Sequence, residues 1–372
     1  MKVGITGAEG LVGWHLSCYL HQISGVQLIR ADRSTFATSS ALETFVNGCD
    51  VIVHLAGMNR GDEKLVAETN IELARRLIDA CESRQDKDRR IHILFSSSTH
   101  IHKGTAYGES KKRCSELFSQ WASRTGSLFA NLILPHVFGE AGRPFYNSVV
   151  STFCHQVANQ METKGNDSPL ELVHTHRVSQ YIHDIIRNKR CGDLPLSGHK
   201  ISVLEVLDRI KEFDGFYRQG TVSAVDDSFD LSLFNTYRSY LYPQYYPVSS
   251  PTRREPWGYH FLFPTNLIKG QTTILSIEAG LTLGNSFSFT RLDRFCVLSG
   301  QATFKIRKVY GDEVKTFILS GSDAQYIDMP TLHTHKVTNT GEGNLIILSW
   351  SNDMGPLDAG TYSQAVETLN NV

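Results

Sequence analysis

Tyr107 and Lys111 stand four positions apart in the stretch Tyr107-Gly108-Glu109-Ser110-Lys111. The apolar spacing of Cys114, Leu117, Phe118 and Trp121 predicts a helix here, and on a helix these two side chains share one face. A phenol with its ordinary pKa of ~10 is a weak acid–base catalyst near neutrality. An ammonium beside it is expected to favour the phenolate and let Tyr107 exchange protons with a substrate oxygen. Upstream, the apolar run Ile91 to Ser96 reads as a strand and runs out into Ser96-Ser97-Ser98. A serine hydroxyl from that strand end could hold the same oxygen. Tyrosine and lysine at this spacing are common by chance, so the elements around them decide whether they form a site.

The elements that must position them begin at the first residue. Met1 to Leu20 reads as a short buried strand (Lys2 to Thr6), a glycine turn and an amphipathic helix. Gly7 permits the tight turn, Gly10 lets backbone approach a pyrophosphate, and Gly13 lets helix pack on strand. The helix N-terminus then offers unpaired N–H groups to phosphates. A second strand, Gly25 to Asp32, ends in an acidic residue 19 positions after Gly13, where a dinucleotide-binding fold holds the adenosine ribose. Arg33 follows it. Asp32 speaks for NAD and Arg33 for NADP, and the sequence leaves the contest open. Asp50 to Arg60 is an apolar strand ending in Ala56 and Gly57, small enough for a flat cofactor to lie against. Glu63 to Arg84 carries apolar residues at helical spacing. Strand Ala130 to Leu134 leads into Pro135-His136-Val137-Phe138-Gly139.

Composition sets wider limits. The chain has 372 residues, 41% of them hydrophobic, and a formal net charge of -1. That length predicts two domains, and the charge balance gives no support to a nucleic-acid or membrane-surface partner. No apolar run approaches the eighteen or so residues a bilayer span needs. The seven cysteines never fall in C-x-x-C spacing, and buried free thiols in a reducing cytoplasm are expected.

T-G-x-x-G-x-x-G, D-x-V-x-H-x-A-G, the triple serine and Y-x-x-x-K together resemble the extended short-chain dehydrogenase/reductase family. The resemblance implies an α/β Rossmann-like doubly wound parallel sheet. It places Ser98, Tyr107 and Lys111 at the catalytic serine, tyrosine and lysine, and Asn70 at a structural asparagine. It implies cofactor contacts at Gly7, Gly10, Leu11, Val12, Asp32, Arg33, Leu55, Ala56, Gly57, Lys111 and Pro135. Substrate contacts are implied at Asn59, Arg60, Thr99, Asn147 and Arg177. Asn147 serves equally well as the N-cap of the helix that follows it. Thr99 to Ala106 is shorter than in the family's sugar epimerases, which alters the floor of the substrate pocket. Glu171 to Arg177 reads as a strand on which His174 and His176 alternate without an acidic partner, so no metal is expected there.

Ser202 to Glu205 is a capping box opening another helix. Phe234 to Pro256, rich in tyrosine and proline, reads as an irregular domain junction whose aromatics plug an interface. From Tyr259 the period changes to two, with short strands and glycine turns. The order resembles a cupin, an all-β jelly roll, and predicts domains at 1–245 and 246–372. Both halves together resemble the CapF family of capsular polysaccharide proteins. That resemblance implies an NADP-dependent reductase of a UDP-4-keto-6-deoxy-N-acetylhexosamine, in the cytoplasm and as a homodimer, on the route to UDP-N-acetylfucosamine. An epimerase or dehydratase that retains NAD, or a non-catalytic sugar-nucleotide-binding or dimerisation role for the cupin, are the alternatives. The family's cupin epimerises C3 at a metal held by an H-x-H motif. Here Ser286 and Ser288 stand in its place, leaving Asp293 and His335, with His333 off-pattern. No metal centre is therefore expected; Asp293 and His335 on the inner face of the barrel are expected merely to hydrogen-bond there, with a residual acid–base pair as the alternative.

Overall fold

The computed structural model describes residues 1–84, 86, 90–102, 104–222, 227–249, 252–255, 258–261, 270–353 and 360–367. It divides into two compact units, Met1–Thr152 with Asp167–Val203, and Phe153–Asn166 with Leu204–Val372.

In the first unit the short apolar runs form a parallel sheet. Its strands are β1 (Lys2–Thr6), β2 (Gln27–Ala31), β3 (Val51–His54), β4 (His92–Ser98) and β5 (Leu128–Leu134), with β8 (Gly192–Pro195) at the far edge. The spatial order is β2-β1-β3-β4-β5-β8. The order reverses between β1 and β3, which opens a crevice at the strands' C-terminal ends. Helices α1 (Leu11–His21) and α6 (Thr175–Asn188) cover one face through Leu16, Leu20, Val178 and Ile182. Helices α2 (Ser39–Asn47), α3 (Glu63–Glu82) and α4 (Ala106–Thr125) cover the other through Phe45, Leu77, Cys114 and Phe118. A small second sheet joins β6 (His136–Phe138), β7 (Pro169–His174) and β9 (His199–Ser202). Helix α5 (Val149–Ala158) spans the division between the units.

The second unit opens with helices α7 (Val203–Arg218) and α8 (Ser228–Arg238) and continues as β10 (Val248–Ser249), β11 (Thr252–Glu255) and β12 (Gly258–Phe261). Then come β13 (Gln271–Ile277), β14 (Thr282–Ser288), β15 (Asp293–Ser299), β16 (Gln301–Lys308) and β17 (Val314–Ser320). The last are β18 (Gln325–Met329), β19 (His333–Asn339), β20 (Leu345–Ser351) and β21 (Thr361–Ser363). They form two antiparallel five-stranded sheets, β10-β18-β15-β20-β13 and β17-β16-β19-β14-β21, and β11 pairs with β12 in a separate antiparallel hairpin. Phe287, Phe304, Ile306 and Ile347 are fully buried between strands.

The parallel α/β part followed by an all-β part is as expected, and several local expectations change. The serines belong to β4, which runs on to Ser98. The presumed junction begins as a helix, because Leu233, Phe234 and Tyr237 on α8 bury completely. The division by compactness puts residues 204–245 with the β-rich unit. One reason is a buried charge cluster: Arg294 donates to both oxygens of Asp328 at 2.7 and 3.0 Å, and to the carbonyl of Gly220 at 2.7 Å. Tyr217 of α7 donates to Asp328 as well, at 2.8 Å. Six cysteines are buried, but Cys191 is exposed. Residues 262 and 263, at the end of the first short strand expected in this part, lie outside the described residues. Among the described residues no helix is long and apolar enough to cross a membrane.

Candidate active site

Helix α4 starts where its first turn can touch the end of β4. Thr105 caps it by accepting the N–H of Gly108 at 3.1 Å. A Cβ on Gly108 would stand 2.3 Å from the carbonyl oxygen of His100, so only glycine allows that approach. Tyr107 and Lys111 project together from this turn. Lys111 is 6% exposed, donates to the carbonyl of Ser96 at 2.8 Å, and lies 4.7 Å from the Phe95 ring centroid and 5.7 Å from that of Tyr107. Burial pulls its pKa down to about 8. Burial also raises the pKa of Tyr107, so the expected lowering by Lys111 is not found. The ammonium sits against the tyrosine ring, and loss of hydration of the phenolate dominates. Ser98 accepts the N–H of His100 at 3.2 Å, while the buried Ser97 hydroxyl has no protein partner.

Asn70 binds this turn to the loop after β3. Its amide accepts from the N–H of Met58 at 2.7 Å and donates to the carbonyl of Met58 at 2.8 Å. It also donates to Ser110 at 3.2 Å, and Ser110 donates to the carbonyl of Tyr107 at 2.8 Å. A Cβ on Gly57 would stand 3.0 Å from Asn70 Oδ1 and 3.7 Å from Lys111 Nζ. Gly57 therefore keeps a flat surface open in front of the ammonium.

The glycine turn has the shape a dinucleotide needs. Gly7 has φ of 69°, and a Cβ on Gly13 would stand 2.2 Å from the carbonyl oxygen of Gly7. At Gly10 the nearest atom to an added Cβ is that same oxygen at 3.3 Å, so its outer side is open. Gly10 caps α1 without a side-chain hydrogen bond, which leaves the amides around Leu11 and Val12 available to an anion. Ala56 donates to Thr6 Oγ1 at 3.2 Å and Leu55 to the carbonyl of Thr6 at 3.2 Å, fixing residues 55–57 beside the turn. Asp32 follows β2, where Ser34 Oγ donates to it at 2.6 Å and the N–H of Thr35 at 3.0 Å. Those bonds lower its pKa. Arg33 beside it is exposed, and Pro135 is buried after β5. These residues fit a nicotinamide dinucleotide.

The substrate-side residues divide. Arg60 and Asn147 line one open cleft of about 540 Å³ with Phe145, Tyr146, Ser148 and Thr152. Arg60 donates to the carbonyls of Phe145 and Tyr146 at 2.6 and 2.7 Å. Ser148, not Asn147, caps α5 by accepting the N–H of Ser151 at 3.2 Å, so the alternative role for Asn147 falls away. Asn59 is exposed in the loop after β3, Thr99 half-buried at the end of β4, and Arg177 exposed on α6. None of these three lines the cleft.

One cluster escaped the sequence reading. His174 ends β7, and His176 and Arg177 already belong to α6. An acidic partner exists after all: Glu140 Oε2 lies 3.1 Å from Nε2 of His174 and 3.1 Å from Nε2 of His15. Burial opposes the ionisation of Glu140, but His174 and His15 together outweigh it and hold its carboxyl well below the usual range. His174 Nδ1 accepts the N–H of His176 at 3.3 Å, so its Nε2 carries the proton and points no lone pair at a cation. The cluster ties α1, the end of β6 and α6 together. Its members lie 34 and 125 residues apart, and no local pattern could have linked them.

Within the β-rich unit Ser286 pairs with His335 across β14 and β19. Phe287 and Phe289, which alternate with these serines, are buried against Tyr362, and Ser288 is buried as well. Arg291, unremarked in the sequence, donates to Asp293 at 2.7 Å and to Ser351 at 2.9 Å. Burial lowers the pKa of His335 against the opposing pull of Asp293. His333 Nδ1 bonds the carbonyl of Thr331 at 2.9 Å. Among the described residues no group of three or more His, Cys, Asp or Glu is arranged to hold a metal ion.

Comparison with known proteins agrees with this geometry. Residues 3–183 match the NAD dependent epimerase/dehydratase family, and residues 261–360 match the Polysaccharide biosynthesis C-terminal domain. A Pseudomonas aeruginosa protein, UDP-2-acetamido-2,6-beta-L-arabino-hexul-4-ose reductase, is 27% identical over 364 residues, 95% of each chain. The crystal structure of the capsular polysaccharide assembling protein CapF from Staphylococcus aureus is 26% identical, with a TM-score of 0.62 over 98% of this chain and 100% of that one. RMD from Pseudomonas aeruginosa, solved with NADPH, is 17% identical with a TM-score of 0.51 over 57% of this chain and 82% of that one, a likeness of fold alone. In sequence, fold and domain order the chain resembles the CapF proteins, an epimerase/reductase domain followed by a polysaccharide biosynthesis C-terminal domain.

Proposed function

We propose that the chain is a nicotinamide-dependent oxidoreductase that reduces the C4 ketone of a UDP-linked 4-keto-6-deoxy-N-acetylhexosamine, with NADPH as the hydride donor, for surface polysaccharide precursor synthesis. The observation that carries this reading is the buried Tyr107–Lys111 turn packed against the serine end of β4, with Gly57 open before the ammonium. When bound, the coenzyme supplies the hydride to C4. Tyr107 is kept a neutral phenol by burial, and donates its proton to the oxygen at C4 as that oxygen gains charge. The Ser98 hydroxyl orients the same oxygen. Lys111 holds the nicotinamide ribose, and Asn147 and Arg60 receive the sugar nucleotide in their cleft. The similarity to the UDP-sugar reductase over nearly the whole chain supports the substrate class.

NADPH is favoured because Arg33 gains a charge-assisted contact only with the 2′-phosphate, worth roughly 10–100-fold in affinity. Asp32 meanwhile is engaged by its own turn. A homodimer in the cytoplasm completes the reading. The test is incubation of the purified chain with NADPH and the UDP-4-keto-6-deoxy sugar, with products identified by NMR. Oxidation of one NADPH per C4 alcohol formed is expected. No oxidation, together with NAD retained through purification, would replace the reductase by an epimerase or dehydratase.

A further inference from the structure

Across the mouth of the glycine turn, Glu9 reaches β2: its Oε1 lies 2.5 Å from Arg30 Nη2. Arg30 pairs in register with Ile5 and Ala31 with Thr6, so Arg30 is the last residue but one of β2, two before Asp32. Glu9 lies inside the turn itself, directly before Gly10. Two carboxylates, Glu9 and Asp32, and two guanidiniums, Arg30 and Arg33, thus stand on the glycine turn and at the end of β2, where the dinucleotide-binding reading puts the adenosine ribose. Ser34 and Thr35 hold Asp32. Glu9 holds Arg30. Arg33 is exposed.

We propose that the Glu9–Arg30 ion pair is a coenzyme-specificity element, in which Glu9 cancels the charge that Arg30 would otherwise offer a 2′-phosphate. The proposal rests on the dinucleotide-binding reading above. NADH and NADPH differ only in that phosphate, so a charge at the rim acts on the ratio of their affinities and leaves shared contacts alone. With both partners present the pair is neutral, and Arg33 alone is left to favour the phosphate over the opposing Asp32. Removing the Glu9 charge leaves the pair positive; removing that of Arg30 leaves it negative. Both changes are at the surface, where Glu9 is 79% and Arg30 25% exposed, so the fold has little stake in the pair.

The test measures dissociation constants for NADPH and NADH by coenzyme fluorescence in the full chain, Glu9→Gln, Arg30→Gln and the double variant. Glu9→Gln is expected to shift the ratio toward NADPH by roughly tenfold, and Arg30→Gln toward NADH by a similar factor. The double variant returns to within about threefold of the unchanged chain, and added salt shrinks both single effects. If both coenzymes bind and neither single variant moves the ratio beyond about twofold, the proposal is wrong and the dinucleotide reading stands. If the unchanged chain binds neither coenzyme, that reading falls and the proposal with it.

Discussion

Both units bury cations, and they treat them in opposite ways. Lys111 is surrounded by two aromatic rings and a peptide carbonyl, and among the described residues no carboxylate lies within ion-pair distance of it. Its charge is left under-compensated, and its pKa falls to about 8 because burial outweighs the opposing pull of Cys114. Arg294 in the β-rich unit is buried as deeply, yet it is met by both oxygens of Asp328 and stacked 4.0 Å from the Tyr326 ring centroid. Arg291 is likewise met by Asp293. A cation whose anion is supplied by the protein is finished as a structural part. A cation left short of an anion is prepared for groups that arrive with a ligand. In the proposed reading, the difference separates the reactive centre from a neutralised interior more sharply than burial does.

The largest effect should come from Tyr107. Tyr107→Phe keeps the ring against Lys111 and removes the proton, so turnover should fall by roughly 10²–10⁴ while coenzyme affinity changes little. Steady-state kinetics with a 4-keto sugar nucleotide and a binding titration read the two quantities separately. Near-normal turnover in the variant would move the acid elsewhere and erase the contrast between the units.

Arg294→Met probes the other side of the contrast. It leaves Asp328 buried with Arg238 at 3.9 Å as its remaining cation, and should cost about 3 kcal/mol of stability in chemical denaturation. Turnover per folded molecule should stay within about twofold. A loss of turnover without a loss of stability would mean that the β-rich unit takes part in the chemistry.

What was legible in the chain follows from distance along it. The glycine turn, Asp32, and the Tyr107–Lys111 face are local patterns, and helix or strand periodicity projects them directly onto space. The partners of Glu140 and Arg294 were not legible, because His15, His174 and Asp328 are brought to them by distant elements, whereas Arg291 meets Asp293 only two residues on. Asn147 and Ser148 show the same limit at short range. Either side chain can cap a helix, and a one-residue difference in where α5 starts decides which is spared for a ligand. Arg60 was expected at the substrate, and it fastens the loop that carries Tyr146, a contact that spacing cannot reveal.

Near pH 8 the expected effect is only about twofold, yet it is the most discriminating, because it pulls activity and stability in opposite directions. The pKa of Lys111 falls from the ordinary 10.5 to about 8 on folding. Below pH 8 the ammonium persists in both states. Between about 8 and 10.5 the unfolded chain binds a proton that the folded chain has released, so this group's contribution to stability rises with pH across that window. The protonated form, however, is the stronger donor to the Ser96 carbonyl and, in the proposed reading, the one that holds the ribose. Turnover should therefore be halved near pH 8 and fall about tenfold per further unit, while the same group makes the fold more stable. In Lys111→Met both trends should vanish from the difference curves for activity and denaturation. A decline in activity that tracks a decline in stability would instead report general alkaline unfolding, and would place Lys111 among the neutralised cations rather than the poised one.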